Sequence, residues 1–225
     1  MRRALLLIPV LVAAAVLAPA REVERAGPGF EQWVRDTFFP GYIPASDTQR
    51  WDIPASENRD HGGLPVKMLA GRQDTAIDLG DAFRHYEIHD PFILVVGFWQ
   101  PERDGRRIVN IVAPETRPEF WRRLWAPVTY ADLLKLDAII KDTGRPVEEI
   151  RRLALKIKSS PPFSEAVMQV NPKIDTHGQR RLLCSLRYTD LFAQFLPGTD
   201  AGPQAQPTLW GVPFPGPIAA PPRGR

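Results

Sequence analysis

Seven consecutive apolar positions, Phe92-Ile93-Leu94-Val95-Val96-Gly97-Phe98, constrain this chain more than any other feature. A strand that meets water on one face alternates apolar and polar side chains. An unbroken apolar run of this length instead predicts a strand covered on both faces, and so a sheet with a layer packed on each side. The class that follows is α/β.

Elements that could supply those layers lie on both sides of the run. Phe30, Trp33, Val34 and Phe38 fall at helical spacing, and Pro40-Gly41 stops that segment. Short extended pieces follow at Trp51-Asp52-Ile53 and from Leu64 to Leu69, and Leu79, Ala82, Phe83 and Tyr86 mark one face of a short helix. A turn at Asp104-Gly105 leads into a strand from Arg106 to Val112. Three helices are then predicted. Thr116 with Pro118 opens one that runs to Trp125, and Thr129 with Asp132 forms a capping-box pattern for a second, which Gly144 closes. Pro146 opens the third, with Val147, Ile150, Leu153, Ala154 and Ile157 facing inward. A hairpin from Val167 to Tyr188 turns at Asp175-Thr176-His177-Gly178.

The two ends have a different composition. Arg2 and Arg3 precede an apolar stretch from Ala4 to Ala18, and Ala18-Pro19-Ala20 has the small residues of a signal-peptidase site. Residues 1–20 therefore read as a leader, too short for a stable membrane span. A mis-assigned start, or an apolar helix that packs on the domain, is the plainer alternative. If the leader is cleaved after Ala20, the protein is secreted or periplasmic; if it is a start-site artefact, the protein is cytoplasmic. Residues 197–225 are dense in proline and glycine and poor in charge, which predicts a disordered tail. One domain over residues 27–196 remains, with a core at 29–112 and a helical segment and hairpin at 116–196. The single cysteine, Cys184, excludes a disulfide framework and a multi-cysteine zinc site. A net charge of +3 allows a polyanionic partner without requiring one.

Chemistry-bearing residues sit early in the domain: Glu31 in Gly29-Phe30-Glu31, Asp52 in Trp51-Asp52-Ile53-Pro54, and Lys67 in Leu64-Pro65-Val66-Lys67. With the order helix, weak strand, strand, strand, helix, buried strand, the segment from Gly29 to Val112 resembles the restriction-endonuclease-like, or PD-(D/E)xK, nuclease superfamily. Within that superfamily it is most similar to type II restriction enzymes. The resemblance implies a core of one helix, a mixed central sheet of about five strands and flanking helices, here with an added helical segment and a C-terminal hairpin. It also implies a carboxylate and an acid-x-lysine element meeting where two strands diverge, often with a glutamate from the first helix. By that pattern Asp52 is the central metal ligand, Lys67 holds the attacking water, and the cofactor is Mg2+. Magnesium suits such a site because it prefers oxygen ligands, one or two of them carboxylates, and lowers the pKa of bound water.

One position departs from the pattern. Pro65, two before Lys67, stands where an acid belongs and cannot bind metal. Some restriction enzymes carry that acid on the following helix, and Asp81, 14 positions after Lys67, is the matching candidate, with Asp78 as its substitute. Asp78 and Asp81 also match a helix N-cap and its partner, and Glu31 also matches a residue that complements a helix dipole. Asp52 could be an ordinary turn residue, and Lys67 a surface lysine.

The implied activity is hydrolysis of phosphodiester bonds in double-stranded DNA. Arg84, Arg106 and Arg107, with Lys173, Gln179, Arg180 and Arg181 on the hairpin, are the candidate DNA contacts. Cutting both strands would favour a homodimer, by the habit of the family. From other classes come a secreted, non-catalytic binding or envelope protein and a secreted DNA-scavenging nuclease, both favoured by the leader. His85 and His89, four apart, could share a zinc ion on a continuous helix, but no third ligand is evident. No phosphate-binding glycine loop, dinucleotide fingerprint or nucleophile elbow is present.

Overall fold

A computed structural model describes residues 27–219, apart from 47–48, 74–75, 104 and 176–178. The leader-like segment and residues 220–225 lie outside the described residues, as do three residues of the hairpin turn.

The apolar run becomes β3 (Phe92–Glu102), buried without a break from Phe92 to Trp99. It pairs in parallel with β1 (Val66–Arg72), Val66 opposite Ile93, and antiparallel with β4 (Gly105–Val112). The short β5 (Glu115–Thr116) joins β3 at Phe92 and Ile93, and β10 (Ile218–Ala219) joins β4, giving a mixed five-stranded sheet. A second sheet has the order β2 (Ala76–Asp81), β7 (Arg180–Arg187), β6 (Gln169–Ile174).

Side chains alternate across β3, and each face has its own core. Ile93, Val95 and Trp99 pack with Val66 and Met68 of β1 and with Phe30 and Val34 of α1 (Gly27–Phe38). Phe92, Leu94, Val96 and Phe98 face the second sheet and the remaining helices: α2 (Ala82–Tyr86), α3 (Pro118–Trp125), α4 (Tyr130–Lys141), α5 (Val147–Lys158) and α6 (Tyr188–Phe195). Trp121 is fully buried there and its indole N–H donates to the His85 carbonyl at 2.7 Å. Among the described residues no helix is long and apolar enough to cross a membrane.

The α/β class and the mixed sheet with flanking helices agree with the sequence reading, and α4 carries the expected Thr129–Asp132 capping box. Three readings need correction. Leu79 and Asp78 lie on a strand, not on a helix with Tyr86. Ile77 and Leu79 alternate on β2, Gly80 at φ 87° shifts the register against β7, and the helix begins only at Ala82. The predicted hairpin ends in a helix, α6, that its residue pattern did not announce. Over 197–219 the tail is ordered rather than disordered. It makes the small hairpin of β8 (Thr208–Leu209) and β9 (Val212–Pro213) and ends its described part as a strand of the main sheet.

Candidate active site

Asp52 meets Lys67 beside an isolated bridge at the start of β1. Ile53 and Val66 form a single antiparallel bridge, with N–H to O distances of 3.2 and 2.8 Å in the two directions. In one direction the bridge is not extended, and the Pro65 carbonyl faces the other way, accepting the Ile93 N–H of β3 at 2.9 Å. In the other direction the Asp52 side chain takes the ladder's role: its Oδ2 accepts the Met68 N–H at 2.6 Å. The carboxylate therefore stands at the open edge of β1, in the position of a neighbouring strand's carbonyl. The intervening loop is tied down from within by buried Asn58, which donates to the carbonyls of His61 at 3.1 Å and Leu64 at 2.7 Å.

Lys67 lies between Val66 and Met68, both committed to the α1-side core, so the pleat turns its side chain to the opposite face. There its Nζ donates to Asp52 Oδ1 at 3.1 Å. The side chains are 16% and 19% exposed, so the pair is held more tightly than a surface ion pair. Glu31 approaches from α1. Burial, reinforced by the Asp52 charge, pushes its carboxyl up to about 7, against the opposing pull of Lys67 and Arg35. On the other face His85 is buried, and burial, assisted by the Lys67 charge, brings it down to about 3 against the favourable backbone of Leu79. Its imidazole is neutral at physiological pH, and its Nδ1 has no hydrogen-bond partner.

Asp52 and Lys67 are thus in contact, Glu31 lies within electrostatic reach of both while its ion pair is with Arg35, and the other proposed ligands are engaged elsewhere. Asp81 is the N-cap of α2, its Oδ1 accepting the Arg84 N–H at 3.0 Å, and Asp78 Oδ1 accepts the Gly80 N–H at 2.9 Å. His85 and His89 do not form a zinc pair, because α2 ends at Tyr86 and leaves one imidazole buried and the other exposed.

The candidate DNA contacts also divide. Arg84, Gln179 and Arg181 are exposed. Arg107 pairs with Glu102 at 3.1 Å, and Arg106 lies over the Trp99 ring, 4.3 Å from its centroid. Arg180 serves the fold, since its guanidinium donates to the Ile140 and Asp142 carbonyls and satisfies the C-terminal end of α4. Lys173 faces Arg181 across the hairpin.

Among the described residues no group of three or more His, Cys, Asp or Glu side chains is arranged to hold a metal ion. Asp52 supplies the carboxylate in contact with Lys67, and Glu31 is a carboxylate within electrostatic reach of that pair. Cavities of about 420 and 280 Å3, beside α6 and α3, are lined by none of the site residues. The site is thus an edge rather than one of these hollows. Searches against protein-family models, curated proteins and solved structures find no match to this chain.

Proposed function

We propose that this chain is a magnesium-dependent endonuclease acting on double-stranded DNA, with a restriction-endonuclease-like core. The observation that carries the reading is the Asp52–Lys67 pair next to the Ile53–Val66 bridge, with Glu31 within electrostatic reach. The donor set suits a hard cation: two carboxylates, all oxygen, with room left for water and phosphate oxygens. Glu31 and Asp52 would hold the ion, Glu31 replacing the acid missing at Pro65. When bound, magnesium supplies positive charge against the phosphorane and acidifies the attacking water.

The chain's own residues do the rest. The Met68 N–H fixes the Asp52 carboxylate in orientation, leaving a lone pair on each oxygen for other partners. Lys67 uses one of its three N–H groups on Asp52, which leaves two to orient a water and to offset charge on the phosphate. That water gives up a proton as it forms the new bond to phosphorus, while the bond to the departing sugar oxygen breaks and that oxygen takes up a proton from solvent. A substrate backbone can run past an edge site of this kind without being engulfed.

The test is incubation of purified full-length protein with supercoiled plasmid, with Mg2+ or with EDTA. Nicking and linearisation are expected only with the metal. Asp52→Asn should lower the rate by roughly two orders of magnitude or more. A wild-type chain that leaves plasmid intact at every Mg2+ concentration, or an Asp52→Asn variant cutting at the wild-type rate, would overturn the proposal.

A further inference from the structure

The three site residues come from three segments, and only two of those segments are tied together at the site. Asp52 and Lys67 share an ion pair, a bridge between strands and the Met68 hydrogen bond. Glu31 has an ion-pair contact with Arg35, 3.9 Å away on its own helix. Its distance from the other two therefore depends on how α1 is seated.

One face of α1 sits on the sheet, with Phe30 packed against Gly97 so closely that a Cβ there would lie 2.8 Å from the ring. Its other side is covered by the C-terminal segment. Phe214 meets Trp33 edge-on at 4.8 Å between centroids and reaches Phe30 at 6.1 Å. Ile218, paired with Arg106 on β4, crowds Gly29 so tightly that a Cβ on that glycine would be 2.8 Å from Ile218 Cγ2. Phe38 of α1 meets His61 edge-on at 5.3 Å, and Trp210 closes this contact into a three-ring cluster because it touches both arms of the site. Its ring meets Phe38 of α1 edge-on at 4.9 Å. It also stacks on His61, with centroids 4.2 Å apart and planes within 3°, in the loop that joins Asp52 to Lys67. Trp210 does this with φ at 47°, a left-handed backbone in which a bulky non-glycine residue is strained. The surrounding contacts must hold it there.

We infer that residues 207–218 brace the candidate active site, with Trp210 as the positioning residue that fixes the Glu31 helix against the loop between Asp52 and Lys67. The functional half of this inference rests on the nuclease reading; the mechanical half does not.

Trp210→Gly, made in the full-length protein, removes the ring and relieves the left-handed strain, so the fold is spared as far as possible. Amide hydrogen exchange by mass spectrometry is expected to accelerate about tenfold or more over residues 27–38 and 58–64, while 92–98 keep their protection. In the plasmid assay, the same variant should lose kcat on the order of tenfold with the KM for DNA unchanged, and Trp210→Phe should recover most of the loss. Should Trp210→Gly fail to fold, Phe214→Ala is measured in the same way. Unchanged exchange in α1 and the loop, or exchange rising equally in β3, overturns the brace. So does a loss of cleavage expressed in KM alone. If the wild-type chain never cuts DNA, the exchange measurement still decides the brace, and the nuclease reading fails separately.

Discussion

Glu31 shows how a single residue can report on the site without any substrate. Its carboxyl titrates near 4.5 in an unfolded chain and at about 7 in the fold, so the folded state prefers the protonated form. The stability from that preference is complete below the unfolded value and is lost as pH rises through about 7. Glu31→Gln carries no charge to lose. In urea denaturation without added metal it should match the wild type near pH 4 and exceed it at pH 8. The gap is at most ~2–3 kcal/mol, reduced because the side chain is about 30% exposed. Parallel pH profiles for the two proteins would show that Glu31 is not strained by its neighbours. At this scale the contact between Asp52 and Lys67 was legible. Asp52 and Lys67 could be chosen only because their order and spacing, taken with Glu31 and the order of elements, fit the resembled pattern; neither residue marks itself alone. Asp81 could not be judged, because a helix N-cap and a migrated metal ligand use the same residue type at the same place. Only the hydrogen bond to Arg84 separates them.

Elements were legible where one periodicity ran without interruption, as in β3, α3, α4 and α5. Reading failed where two periods joined. Leu79 belongs to a strand and Phe83 to a helix, yet their spacing mimics one helical face across the Gly80 bulge. The close approach of α1 to β3 could not be foreseen, since a glycine inside an apolar run does not say which ring will fill its missing side chain. It leads to a sharp expectation. Gly97→Ala would place a methyl 2.8–2.9 Å from the Phe30 ring, and the core there is already filled. The substitution should cost ~1–3 kcal/mol in thermal or chemical unfolding and should impair cleavage by displacing α1. A neutral Gly97→Ala would mean that the helix is seated more loosely than its contacts indicate.

Among the described basic residues, some face water and others hold the fold. On the proposed nuclease reading, exposed Arg181 would contribute to DNA affinity through phosphate, so Arg181→Ala should lower the slope of log K against log salt by about 1. Arg180, its neighbour, is spent on the end of α4. Arg180→Ala should therefore lower the melting temperature and leave the salt slope unchanged, and the reverse pattern would refute this division. Composition identified the leader and the tail as unlike the domain, but it could not foresee that Trp210, Phe214 and Ile218 are long-range core contacts. Proline and glycine content describes the cost of ordering a chain, not the docking site that repays it. The buried strand has a last consequence. Successive side chains of β3 belong to opposite cores, so neither half of the molecule can melt and leave its neighbour intact. The protein is held together like two pages on one spine, and heat should open both in a single all-or-none event.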